Sequence, residues 1–438
     1  MKTLRLLPLT LAISTWLALP VQAQSLADLY QAAKTYDTTY QSAKHQYDAT
    51  LAKGEQAKAG LLPTVGVSSA INRSNLDSDL ASLQRGYGSQ SVTLSASQPL
   101  YRPANVATAE QGQKQAALAQ AQLDAAIQDL IIRVSQAYFD VLAAQDTLNF
   151  VRAQKSATSE QLASAKRNFE VGTATITDTR EAQAQFDLIL AQEIAADNDL
   201  HVKTLVLDQL TGLSTSPRPL LLPAPLPALA PNDVTPWVAD SEDNHPSVRQ
   251  ARLALEVAKL DTQIAEAGNK PTLDLVGSYA VTHNDGSSSL ATDYHTKVAT
   301  VGLSFNLPLF AGFSVQNRIK ETVALEEKSR SDLDTARRTV AQATRSAFFS
   351  VQSGLAQVKA YEAAEASSQS SLDATKLGYQ VGVRINIDVL NAQTTLFDTK
   401  TKLAKARYDV LLGNLKLRQA NGSLKEDDIS AVNALLAR

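Results

Sequence analysis

The sequence predicts a mainly helical chain with a membrane β-barrel part, built as two structural repeats, each a β-hairpin inserted between long helices. Three observations carry this reading. Motifs recur at a shift of about 210 residues, apolar positions follow heptads through long proline-free stretches, and four segments with alternating polarity stand just before those stretches. Phe169-Glu170-Val171-Gly172-Thr173 returns as Tyr379-Gln380-Val381-Gly382-Val383, and Asp178 with Ala182-Gln183 returns as Asp388 with Ala392-Gln393. Ala137-Tyr138-Phe139 returns as Ala347-Phe348-Phe349. Leu62-Pro63-Thr64 is answered by Lys270-Pro271-Thr272, and Gln98-Pro99-Leu100-Tyr101 by Leu307-Pro308-Leu309-Phe310. Chance likeness among alanine-rich helices does not reproduce prolines and glycines in one order.

From the N-terminus, Lys2 and Arg5 precede an apolar run from Leu6 to Leu19, and Val21-Gln22-Ala23 supplies small residues for cleavage after Ala23. This is a secretory leader over 1–23, too short for the roughly 20 apolar residues of a spanning helix. No later apolar stretch reaches that length without a charge, so entry into a membrane requires a barrel. The first repeat occupies 24–216. It reads as a helix over Ser25–Ala59, a hairpin at about 64–98, a helix from Pro103 to about Gly172 and a shorter one over Asp178–Leu210. The second repeat, 245–424, places its hairpin at about 272–307 and its long helix between Gly312 and about Gly382. Some 70 residues of helix make a rod of about 100 Å. Ile127, Ile131, Val134, Tyr138 and Val141 alternate spacings of four and three, and Leu396, Leu403, Val410 and Leu417 mark successive heptads.

In the hairpins Val65, Val67 and Ile71 alternate with small or polar residues, as do Val92 and Leu94, Leu273 to Val281, and Val301 to Leu307. The expected loops, Ser74–Ser89 and Asn284–Lys297, are polar. One apolar and one polar face suit a barrel wall, yet four strands are half of the roughly eight that the smallest membrane barrels use. A barrel would have to be shared among chains. Between the repeats, 217–244 is an extended connector: Pro217, Pro219, Pro223, Pro225, Pro227, Pro231 and Pro236 exclude helix up to Pro236. A short helix is expected in the tail, 425–438.

The chain has no cysteine, hence no disulfide and no lipidated cysteine. Its formal net charge of −3 becomes −5 once Lys2 and Arg5 leave, which argues against a nucleic-acid partner. Aromatic residues are 5% of the chain, fitting close-packed helices better than a large globular core. Nothing in the sequence supports an enzyme. His45, His201, His245, His283 and His295 are scattered without metal-type spacing, although His283 and His295 flank one hairpin loop and could meet. There is no nucleophile elbow and no phosphate loop, and no cofactor is expected.

The segment Gly378-Tyr379-Gln380-Val381-Gly382-Val383-Arg384-Ile385-Asn386-Ile387-Asp388-Val389-Leu390-Asn391-Ala392-Gln393, flanked by Ser371-Leu372-Asp373-Ala374 and Lys405-Ala406-Arg407-Tyr408, resembles the tip of the TolC-type outer-membrane export proteins. With both repeats, the resemblance covers essentially the whole mature chain. It implies a homotrimer with a single twelve-stranded barrel in the outer membrane, a helical tunnel through the periplasm and the proline-rich connector in an equatorial belt. It further implies docking with a periplasmic adaptor and an inner-membrane pump, either an ABC exporter of proteins or a proton-driven drug pump. Links between the two helical hairpins would hold the periplasmic end shut, through Tyr379 and Arg384 in the second repeat and Thr177 and Asp178 in the first. Asp388 would line the lumen constriction as a ring of three carboxylates favouring cations. The usual second acidic position is Asn391 here, predicting weaker cation selectivity. Gly172 and Gly382 are expected to reverse the chain at the tips. Tyr101 and Phe310 would lie at the membrane interface or pack at the barrel–helix junction. The competing readings are a periplasmic adaptor or a structural coiled-coil protein of the envelope. Strands between helices in both repeats disfavour them.

Overall fold

The computed structural model describes residues 24–77, 79, 85–220, 226–287, 290 and 292–436. The expected leader, part of the connector and both hairpin-loop centres lie outside the described residues. The chain runs α1 (Leu26–Tyr36), α2 (Thr38–Lys58), β1 (Thr64–Leu76), β2 (Arg85–Tyr101), α3 (Pro103–Glu170), α4 (Ile176–Thr211), α5 (Val234–Asn244), α6 (Pro246–Ala267), β3 (Thr272–Asn284), β4 (Tyr294–Asn306), α7 (Ser314–Gln380), α8 (Asn386–Ala420) and α9 (Glu426–Asn433).

Two rods dominate. α3 has 68 residues and α7 has 67, so each spans about 100 Å. Pro103 starts α3 at its first helical position, where a missing N–H costs nothing. One flank of α3 packs against α2 and α4, the other against α6 and α8, and the last two also pack on α7. Short helices placed end to end thus lie beside each long one. The heptad residues Leu396, Leu403, Val410 and Leu417 are all buried. The main core gathers Leu26, Leu29 and Tyr30 of α1, Leu130, Ile131, Tyr138 and Phe139 of α3, and Tyr408, Leu411 and Leu415 of α8. Tyr138 donates to the carbonyl of Arg218 at 2.9 Å and ties the connector to this core.

Three expectations need correction. The loops expected at Ser74–Ser89 and Asn284–Lys297 are shorter, because strand pairing continues through their polar ends, with β1 running to Leu76, β2 starting at Arg85 and β4 at Tyr294. The single helix over Ser25–Ala59 is two helices, because Asp37 adopts an extended backbone and caps α2 through its carboxylate and the Tyr40 N–H at 2.7 Å. The same carboxylate takes a bidentate bond from Arg133 of α3, at 2.8 and 3.0 Å, and this pairing holds it below the usual carboxylate range. The connector is not extended throughout: α5 runs through Pro236, which is tolerated in a helix's first turn.

The four strands form one antiparallel sheet in sequence order. Its register aligns Val67 with Leu94, Leu94 with Tyr279, Leu275 with Leu303 and Leu273 with Phe305, so the apolar residues of all four strands share one face. That face is open: Val65, Val67 and Ile71 are 69%, 71% and 78% exposed, and Val301 is 81% exposed. β1 and β4, each 13 residues long, leave their outer edges unpaired within the chain. At the junction with the helices Arg102 grips Asp274 with two bonds of 2.7 and 2.6 Å. Tyr101, beside it, is half-exposed, while Phe310 stacks edge-on with Phe313 at 5.4 Å. Among the described residues no helix is long and apolar enough to cross a membrane.

Candidate functional site

The ends of the two helical hairpins, α3–α4 and α7–α8, lie together at the pole away from the sheet. Each is closed by the same backbone device. In the first, the N–H of Thr173 bonds the Asn168 carbonyl at 2.8 Å and the N–H of Gly172 bonds that of Phe169 at 3.0 Å. In the second, Val383 bonds Gly378 at 2.9 Å and Gly382 bonds Tyr379 at 3.1 Å. Gly172 and Gly382 take φ of 79° and 80°, the left-handed region where a side chain is strained. Nothing lies within 4 Å of where a Cβ would stand, so backbone conformation alone calls for glycine there.

The helices that follow start differently. Thr175 caps α4: its hydroxyl accepts from the Asp178 N–H at 3.2 Å, and the Asp178 carboxylate accepts from the Thr175 N–H at 2.8 Å. This reciprocal pair satisfies two orphan donors. At the start of α8 the corresponding residue is Ile385, which has no accepting atom. Asp388 reaches back to the Ile385 N–H only at 3.5 Å, and Arg384 pairs with Asp388 at 3.7 Å from a side chain 61% exposed.

The structure does not bring Tyr379, Arg384, Thr177 and Asp178 into one cluster. Tyr379 does reach the first hairpin, but its hydroxyl accepts from Asn168 at 3.2 Å while its ring packs near Leu372, Val389 and Leu396. Arg384 stays on its own hairpin, in the turn before α8. The Asp178 carboxylate is engaged in its own cap, and Thr177 is exposed. Asp388 is partly exposed and Asn391 is exposed, one turn apart on α8.

The hairpins are joined instead by Asn386, which the sequence reading passed over. Its side chain is fully buried, accepts from Gln161 of α3 at 2.6 Å and donates to the backbone carbonyl of Asp178 at 3.1 Å. Two turns along α8, Thr394 accepts from Gln154 of α3 at 3.3 Å and from Gln185 of α4 at 3.2 Å. Leu390 packs with Leu162, Ala165 and Ala182 between these contacts. The joint is neutral and polar, without an ion pair among the described residues. The sequence did hold a signal: in the repeat alignment Asn386 falls opposite Ile176, a polar residue between Ile385 and Ile387.

Further from the tip, Tyr408 of α8 donates to Asp146 of α3 at 2.7 Å. Burial pushes the Asp146 carboxyl up, and the hydrogen bond from Tyr408 opposes this.

Long paired helices, a one-faced sheet and polar joints at the pole opposite that sheet describe a conduit wall, with no assembled catalytic group at the joint. The family model "Outer membrane efflux protein" matches residues 29–213 and 237–423. The chain is 34% identical to outer membrane protein TolC of Vibrio cholerae, over 98% of either chain. It is 32% identical to TolC of Escherichia coli, over 99% of this chain and 90% of that one. It is also 31% identical to the alkaline protease secretion protein AprF of Pseudomonas aeruginosa, over 94% and 87%. Among solved structures, the outer membrane protein VceC of Vibrio cholerae matches with a TM-score of 0.79 at 17% identity, covering 91% of this chain and 96% of that one. The Campylobacter jejuni CmeC outer membrane channel gives 0.79 at 16%, covering 94% and 90%. The chain belongs to the outer membrane efflux protein family. It is a TolC-type outer-membrane export channel whose helices extend into the periplasm, and these relatives are channel and secretion proteins, not enzymes.

Proposed function

We propose that three copies of this chain pool their four-stranded sheets into one twelve-stranded barrel and form the exit duct of a tripartite exporter. The observation that carries this is the sheet itself. An isolated sheet with a bare apolar face and two long unpaired edges is an aggregation hazard in water, and in lipid each unpaired N–H and C=O costs several kcal/mol. Joining β4 of one copy to β1 of the next removes the edges and turns the apolar face to lipid. In the same assembly the helices make the periplasmic tunnel. The resemblance to TolC and to AprF supports a periplasmic adaptor and an inner-membrane ABC or proton-driven pump as partners, with secreted proteins, small toxic molecules or both as cargo. The domains are then the leader, 1–23, the two repeats, 24–216 and 245–424, the belt connector, 217–244, and the tail, 425–438.

We further assign the gate to the helical tips, with Asn386 as the buried node and Tyr379 as a second, weaker link. Arg384, held by one long contact at 3.7 Å, is free to reach a neighbouring copy. Asp388 supplies the one acidic ring at the constriction, since Asn391 is neutral. Deleting the gene from its source organism and assaying secreted proteins and drug susceptibility in parallel tests the export role. Loss of either is expected, and wild-type performance in both would overturn it.

A further inference from the structure

The β3–β4 hairpin ends away from the helices, which for an outer-membrane protein with periplasmic helices is the outer face. There His283 and His295 stand directly opposite in the strand register, with rings stacked at 4.3 Å between centroids. The chain adds two carboxylates at the same place, Asp285 just beyond β3 and Asp293 just before β4. His283 Nε2 lies 3.1 Å from Asp285 Oδ1. One donor atom from each of His283, Asp285 and Asp293 falls within 4.8 Å of the others.

We propose that this cluster is a binding site for a divalent transition metal, zinc being the best fit, with His283, Asp285 and Asp293 as ligands. Tetrahedral zinc with bonds of about 2.0–2.1 Å separates neighbouring ligand atoms by roughly 3.3 Å, close to the 3.1 Å between His283 and Asp285, while Asp293, within 4.8 Å, would close in on binding. An imidazole among the donors favours zinc, nickel or copper over calcium or magnesium, which prefer oxygen-only sets. The site is also built from outside its own hairpin. The Asp285 N–H donates to the Gly88 carbonyl of β2 at 2.9 Å. A Cβ at Gly88 would come 2.9 Å from Asp285 Oδ2, so the glycine leaves room for the carboxylate. His295, stacked on His283, fixes the ring's orientation and is a positioning residue. A bound ion would fasten the loop end of β3–β4 to itself and, through Asp285, to β2, bracing the outer mouth of the barrel.

The test is calorimetric titration of the detergent-purified full-length protein with zinc chloride, with calcium chloride as the competing ion. The expected result is one zinc per chain, undisturbed by calcium and weakened more than tenfold in both His283→Asn and Asp293→Asn. Circular dichroism and particle size should be unchanged in the variants. His45→Asn and His201→Asn should bind as the unmodified protein does. Zinc should also slow proteolysis of the hairpin in the unmodified protein and not in His283→Asn. Equal zinc binding by unmodified protein and His283→Asn, or displacement by equimolar calcium, would overturn the assignment.

Discussion

The two hairpin tips share a backbone plan and differ in side chains. Both end their first helix with a positive-φ glycine and both place an aspartate three residues into the next helix. The first tip then closes upon itself, with Thr175 and Asp178 satisfying each other, whereas the second has no side-chain cap at Ile385 and spends Asn386 on the first tip. The difference fits the proposed gate: the first tip is the post, closed upon itself, and the second is the latch, leaning on it through Asn386. Neutral hydrogen bonds of this kind are each worth roughly 0.5–1.5 kcal/mol net, a size that the proposed docking partner could overcome.

The strongest way to break this comparison is Asn386→Ile, which gives the second tip the residue type of the first. The half-buried Gln161 amide and Asp178 carbonyl lose this partner, at about 1 kcal/mol each. Conductance in planar bilayers should shift towards the open state by at least about tenfold, one decade per 1.4 kcal/mol. Ile176→Leu, the matched change in the post, should leave conductance unaltered. Next in size, Gly172→Ala and Gly382→Ala should each lower stability by about 1–2 kcal/mol, because a side chain is forced into the left-handed region with no contact to gain or lose. Equal losses in thermal unfolding would confirm that the turns are equivalent. The caps sharpen the contrast further: Thr175→Ala should cost about 1 kcal/mol and Ile385→Thr should gain a comparable amount.

Much of the fold was legible because it rests on local periodicity. The seam from Leu396 to Leu417 and the alternation in Val65–Ile71 each follow from which face must be buried or meet lipid. The break at Asp37 was half legible: an aspartate ahead of Thr38 is a local N-cap signal that was passed over, while its pairing with Arg133, distant in sequence, leaves no local mark. Pro236 misled in the other direction, because a helix's first turn accepts the residue that its interior rejects. At the tips, Tyr379, Arg384, Thr177 and Asp178 came from a resemblance, and Asn386, which bridges the two hairpins, was not among them. Asn386 replaces an apolar side chain, and its partners, Gln161 and a backbone carbonyl, have no signature along the chain.

Two smaller effects concern charge. Asn391→Asp should add a second acidic ring to the one proposed for Asp388, raising cation preference and divalent-cation block in single-channel recordings. Unchanged selectivity would contradict the proposed placement of Asp388 and Asn391 at the lumen. Arg384→Ala should cost only about 0.3–0.5 kcal/mol within one chain, as an exposed i,i+4 pair does. A much larger rise in conductance would place Arg384 in a contact between copies.

The proposed duct requires the sheet to be one third of a closed wall. Native mass spectrometry of the detergent-purified protein tests that directly. The account predicts a particle of three chains that stays intact until the detergent shell is stripped. A single chain that remains folded and dispersed in plain buffer would contradict it, since β1 and β4 would then need no neighbour.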